Sequence, residues 1–225
     1  MYHGRKKRYI IATSIAVVFI SIALYKAAES NPYKNSKTWN FDSYQEKSML
    51  GKMLSIGTNS EEKGTWVIKS DELAPSKPNL LTKLSNNETG SGYHILIMPE
   101  GAYANFEASV KFKITSGEKE QAAGLIIRFQ DMNHYIVIIA DAMNHRFSLC
   151  RAEAENLICT QDVNYNVTIG QWHTIMVQVA SQGIAGNLDD KHLLLRSDQH
   201  YVTGQIGLWT KGDTGAYFDD LKIAY

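Results

Sequence analysis

The sequence predicts an all-β protein: a two-sheet antiparallel β-sandwich following an N-terminal hydrophobic helix. Three observations carry this. Helix periodicity is nearly absent beyond residue 40. Short apolar runs recur from there to the C-terminus with turn residues between them. Two of the runs alternate strictly between apolar and polar, the period of a strand with one buried face.

The elements follow in order. Trp66-Val-Ile68 is a short β-prone run after Gly64, and residues 79–84 (NLLTKL) follow the Pro75/Pro78 turn region. Residues 93–97 (YHILI) end at Pro99. In residues 105–114, Phe106, Ala108, Val110, Phe112 and Ile114 point one way and Glu107, Ser109, Lys111 and Lys113 the other. Residues 121–129 and 133–140 are apolar strands separated by a turn at 130–132. Residues 146–150 and 157–159 read as a hairpin about a polar stretch, which sets Cys150 opposite Cys159. In residues 172–179, His173, Ile175, Val177 and Val179 share one face. Residues 192–196, 204–209 and 216–223 complete the series. Ten or more short strands of this kind close their edges and bury their alternating faces by stacking two sheets.

The N-terminus is of a different kind. Arg5-Lys6-Lys7-Arg8 precedes Tyr9–Tyr25, a 17-residue run without charge. A basic cluster before such a run is the pattern of a membrane signal, with the basic end cytoplasmic and the remainder exported. Cleavage after Ala27 or Ala28 would put Tyr25 or Lys26 at the −3 position, where a small residue is needed. Residues 1–27 therefore read as an uncleaved anchor, single-pass through residues 9–25 with the domain outside; a cleaved signal peptide and secretion are the alternative. Residues 28–40 read as a polar spacer and residues 41–225 as the domain. Two cysteines in an exported chain can form a disulfide, and Cys150 with Cys159 is that candidate pair; two small buried thiols are the other reading.

Net charge is formally zero, but the asymmetry matters. Five basic residues flank the apolar run, and all 23 acidic residues lie beyond Lys26, so the rest of the chain carries 18 basic against 23 acidic residues. A mildly acidic domain is a poor match for nucleic-acid phosphates. Neither Gly-rich phosphate-binding motif is present. There is no HExxH, no Cys/His quartet and no GxSxG, so zinc, serine and cysteine hydrolase chemistry has no motif to stand on. Glu153-Ala-Glu155 has the alternation of a carboxylate pair but falls in the expected hairpin turn, and the adjacent Asp219 and Asp220 would face opposite sides of a strand.

Residues 41–43 (FDS), 64–68 (GTWVI), 105–112 (NFEASVKF), 122–131 (AAGLIIRFQD), 134–142 (HYIVIIADA), 172–175 (WHTI) and 205–221 (QIGLWTKGDTGAYFDDL) run in a characteristic order. In this the chain resembles the concanavalin-like, laminin-G-like jelly-roll domains that include the 3-keto-disaccharide-hydrolase-like group. The resemblance covers residues 41–225. It implies a concanavalin-like jelly roll, a scaffold that serves lectins, glycan-binding modules, glycoside hydrolases and adhesive domains alike. It also implies a structural calcium held in part by Asp219. One departure is Asn187-Leu-Asp-Asp-Lys191, where many relatives carry a short Asp-Gly turn.

Two residue groups have the composition of a sugar site, which needs an aromatic face and paired polar groups for hydroxyls. Arg128, Asp131, Asn133 and Tyr135 cluster around one strand–turn–strand, and Trp209, Lys211 and Asp213 around another. The expected function is an extracytoplasmic carbohydrate-binding or adhesion-type domain without catalytic machinery, its partner a glycan or cell-envelope polysaccharide. A glycoside hydrolase of the 3-keto-disaccharide-hydrolase-like kind and a structural envelope-interaction domain are the alternatives.

Overall fold

The computed structural model describes residues 33–45, 52–58, 64–84, 92–154 and 156–225. The apolar run at 9–25 lies outside them. No helix among the described residues is long and apolar enough to cross a membrane.

Fifteen strands make up the described residues, and they stack as two antiparallel sheets. In the eight-stranded sheet, β13 (Lys191–Ser197), β12 (Gly183–Leu188), β11 (His173–Ala180), β6 (Phe106–Ser116), β15 (Gly215–Ala224), β4 (Asn79–Lys83) and β3 (Trp66–Ser70) lie in that order, and β1 (Ser36–Trp39) pairs with β15. The seven-stranded sheet runs β10 (Asn156–Asn164), β9 (Arg146–Glu153), β8 (His134–Asp141), β7 (Ala122–Asp131), β14 (Gln205–Lys211), β5 (Tyr93–Ile97) and β2 (Leu54–Gly57). Sequence neighbours such as β6 and β7 sit in different sheets, so the two sheets are built together.

The alternating strands behave as their pattern requires. In β6, Phe106, Ala108, Val110, Phe112 and Ile114 are buried while Glu107, Ser109, Lys111 and Lys113 are only partly covered. In β11 the buried set is His173, Ile175, Val177 and Val179. These faces meet Leu96, Leu125, Ile136, Ile138 and Leu208 of the other sheet in the main core. Each large aliphatic side chain so buried contributes roughly 1.5–3 kcal/mol.

Two features were not visible in the strand pattern. Ser36–Trp39, inside the stretch read as a polar spacer, pairs along Leu221–Ala224. Only Trp39 of this edge strand is buried, so it shows almost no alternation. The chain from Asn187 to Lys191 makes a tight hairpin turn, with Asp189 at φ 49° and Asp190 at φ 62°. Two left-handed residues in succession are what a twisted two-residue hairpin needs. Aspartate tolerates that region better than most residues, and so replaces the usual glycine.

The hairpin of β9 and β10 sets Cys150 and Cys159 in register, and they form a disulfide.

Candidate ligand-binding site

The seven-stranded sheet is apolar on both faces. Along β8, Ile136, Ile138 and Ala140 point into the main core, while Tyr135, Val137 and Ile139 point outward. The outward side chains join Ile95, Ile97, Ile126, Cys150 and Trp209 in a second buried cluster. Trp209 lies directly opposite Gly124 in the register. A Cβ at Gly124 would stand 2.7 Å from the carbonyl oxygen of Ile138, so that position stays bare.

A cavity of about 250 Å³ opens on this outer face. Gly57 and Thr58 line one side, at the end of β2; Asn156 and Leu157 of β10 line the other. These strands are the two edges of the sheet. In a flat sheet, with strands about 4.8 Å apart, they would be separated by roughly 29 Å. A cavity this small touches both only because the sheet curls, so its outer face is cupped. Tyr93 supplies the aromatic surface, with the buried Tyr135 behind it, and the turn between β7 and β8 supplies Met132 and Asn133. Trp209 supports the floor, its ring centroid 5.1 Å from that of Tyr93. Burial pushes both phenols above their ordinary pKa, Tyr135 strongly, so both keep their protons and remain hydrogen-bond donors.

The sequence-derived residues separate into three groups. Asn133 and Tyr135 line the cavity. Asp131 and Trp209 stand behind it. Asp131 accepts from the amide of Asn133 at 2.8 Å and from Nδ1 of His134 at 2.7 Å, so it fixes the turn that presents Asn133. The His134 bond, with the Asn133 amide, holds its carboxyl below the usual range. His134 precedes Tyr135 on the strand, so its ring turns to the opposite side, edge-on to Tyr201. Trp209 is 1% exposed and underlies the aromatic surface without forming it.

Arg128, Lys211 and Asp213 serve the fold. Arg128 sits in the irregular stretch of β7, at φ 53°, and is fully buried. The turned backbone sends its guanidinium inward, where Nη2 donates to the carbonyl of Ser181 at 2.6 Å. Lys211 pairs with Glu120 at 2.7 Å. Asp213 accepts from the backbone amides of Glu118, Lys119 and Glu120 at 2.8, 3.1 and 2.9 Å, which pins the loop between β6 and β7. Burial opposes its ionisation, but these amides outweigh it and its pKa falls.

Asp219 is completely buried on β15. Its carboxylate accepts from the amide of Ser76 at 2.8 Å and the hydroxyl of Ser76 at 3.0 Å. Burial raises its pKa to about 6. Its described neighbours do not gather three metal-ligating side chains; no such group occurs among the described residues.

Sequence reasoning missed Thr58, Tyr93, Met132, Asn156 and Leu157. They converge only through the curl of the sheet. The available signal was Tyr93, an aromatic residue heading a strand that ends in three aliphatic residues.

A hydroxyl–imidazole–carboxylate chain also occurs away from the cavity. Nδ1 of His173 lies 2.6 Å from Asp189, and Nε2 lies 3.0 Å from the hydroxyl of Thr168. The same Nε2 takes the Thr168 amide at 3.2 Å, and Asp189 also accepts from the amide of Thr174 at 2.9 Å. The imidazole thus braces the start of β11 against the turn between β12 and β13.

Fold and cavity together define a jelly-roll sandwich with a cupped outer face. The family model for the 3-keto-alpha-glucoside-1,2-lyase-like domain matches residues 34–224, and the chain belongs to that family. No curated protein matches it. Among solved structures, a CBM66 carbohydrate-binding module from Bacillus subtilis aligns with a TM-score of 0.60 at 14% identity, covering 76% of this chain and 95% of that one. A Bacteroides ovatus mixed-linkage-glucan GH16 protein in complex with a G4G4G3G product aligns at 0.58 and 11% identity, covering 83% and 99%. Domain 4 of AbnA, a GH43 extracellular arabinanase from Geobacillus stearothermophilus in complex with arabinotriose, aligns at 0.57 and 13%, covering 85% and 93%. At these identities the likeness is one of fold.

Proposed function

We propose that the domain binds carbohydrate in the cupped outer face of the seven-stranded sheet. The observation that carries this is the composition of the cavity. Tyr93, backed by the buried Tyr135, can meet the C–H face of a sugar ring, and Thr58, Asn133 and Asn156 can meet its hydroxyls. The carbohydrate-binding module and oligosaccharide-bound modules among its structural neighbours support the reading. Binding is preferred to cleavage because Asp131 and His134, the acid and the imidazole beside the turn, engage each other.

A second reading follows from the family. A 1,2-lyase acting on a 3-keto-glucoside removes the proton at C2 and expels the group at C1, and it needs a base beside the ring. Asp131 and His134 flank the turn that lines the cavity but engage each other.

The domain works outside the cytoplasm in this proposal, anchored through residues 9–25. The Cys150–Cys159 disulfide supports an oxidising compartment. Calcium at Asp219 remains part of the proposal as a stabilising ion.

The test is direct. The full-length chain in a zwitterionic detergent is titrated with a glycan panel, with calcium and with a chelator, and the same tubes are assayed for released sugar. Saturable binding that Tyr93→Ala abolishes at unchanged melting temperature supports the proposal. Sugar release moves the function to the lyase or hydrolase reading. No binding across the panel overturns carbohydrate recognition.

A further inference from the structure

The cavity also constrains what kind of sugar it takes. Resting on the carbohydrate reading above, we infer that the site receives one uncharged terminal ring, and that it excludes uronates and sulfated sugars.

Size is the first reason. Sites for drug-sized ligands run from about 300 to 1,000 Å³. At about 250 Å³ this cavity falls below that range, so it holds one ring and not a run of them. Its borders agree. Thr58 on one edge of the sheet, Leu157 on the other and the Met132–Asn133 turn border a single space. A chain end can enter such a space, whereas the interior of a polysaccharide has to leave on a second side.

Charge is the second reason. Every described lining residue is neutral. Two cations on the described strands of this sheet are already committed. Lys211 is held by Glu120 at 2.7 Å, and Arg151 by Glu153 at 3.0 Å and Asp198 at 3.2 Å. A carboxylate or sulfate entering the cup would lose its hydration without gaining a counter-charge, which is costly.

The polar groups match hydroxyls instead. The Oγ of Thr58 accepts the amide of Tyr93 at 2.8 Å, which leaves its own hydrogen to donate. Nδ2 of Asn156 donates to the carbonyl of Ala154 at 3.0 Å, which leaves its oxygen to accept. One donor and one acceptor, on opposite walls, suit the hydroxyls of a neutral ring, each of which both donates and accepts.

The experiment uses the full-length chain and isothermal titration. The probes are neutral methyl hexosides and pentosides, the matching methyl uronides, and oligosaccharides ending in the ring that binds. The expected result is binding of a neutral glycoside, a uronide at least about thirtyfold weaker, and no more than about threefold gain with chain length. Asn156→Ala, at unchanged melting temperature, should weaken the neutral ligand by removing the acceptor oxygen, and unchanged affinity would overturn that role for Asn156. A uronide that binds as well as its neutral partner, or affinity that climbs steadily with chain length, overturns this inference while carbohydrate binding stands. Failure of every saccharide to bind overturns both.

Discussion

The outer faces of the two sheets differ in kind. On the eight-stranded sheet the outward side chains are polar. Lys111 pairs with Asp220 at 2.8 Å, Lys69 pairs with Asp71 at 3.3 Å, and Lys113 lies over the rings of Trp172 and Tyr217 at 4.9 and 5.1 Å. On the seven-stranded sheet the outward side chains are Ile95, Ile97, Ile126, Val137 and Trp209, all buried, with a cavity above them. A sandwich needs only its two inner faces to form a core. The polar face is what a solvated sheet exterior looks like. The second apolar cluster exceeds that need and builds the floor of the cavity.

The comparison can be broken at three points. The largest effect should come from Trp209→Ala, which empties the floor under Tyr93. The expected loss is about 3–5 kcal/mol in denaturant unfolding, with sugar binding abolished in whatever remains folded. A loss below about 1 kcal/mol would mean that the outer cluster is not cooperative with the main core.

An intermediate effect belongs to Asp219, under the 71–78 segment on the polar side. Its folded pKa of about 6 lies above the ordinary carboxylate value, so the folded state binds the proton more tightly than the unfolded chain does. Its contribution to stability is present in acid and is lost as pH rises from about 4 to about 6. Relative to Asp219→Asn, the wild type should lose up to about 3 kcal/mol over that interval and stay level above it. Parallel curves for the two proteins would remove the titration from Asp219. Saturating calcium, if it binds there, should flatten the wild-type curve alone.

The smallest effect should come from Lys111→Ala, which breaks one partly exposed ion pair. A change within about 1 kcal/mol, shrinking further in salt, is expected from urea titration at two ionic strengths.

Much of the fold was legible because strands with one wet face advertise themselves. β6 and β11 show which residues point inward, and the hairpin midpoint places Cys150 against Cys159. β1 was not legible, since an edge strand with one buried residue has no period to read. The lining of the cavity was legible where it is local. Asn133 and Tyr135 flank one turn, and the sequence brings them together. Thr58, Tyr93 and Asn156 come from distant strands and meet through curvature, which no local pattern encodes. Trp209, Arg128 and Asp213 have the right chemistry for a ligand, but Trp209 packs in the outer cluster, Arg128 donates to the carbonyl of Ser181 and Asp213 holds a backbone loop.

The central claim is that the apolar, cupped face of the seven-stranded sheet is the ligand face. Backbone amide chemical shifts of the full-length chain, followed during titration with a bound glycoside, test it most directly. The account predicts shifts confined to Gly57–Thr58, Tyr93, Met132–Tyr135 and Asn156–Leu157. Shifts centred on Lys69, Lys113 and Tyr217, on the polar face of the other sheet, would contradict it.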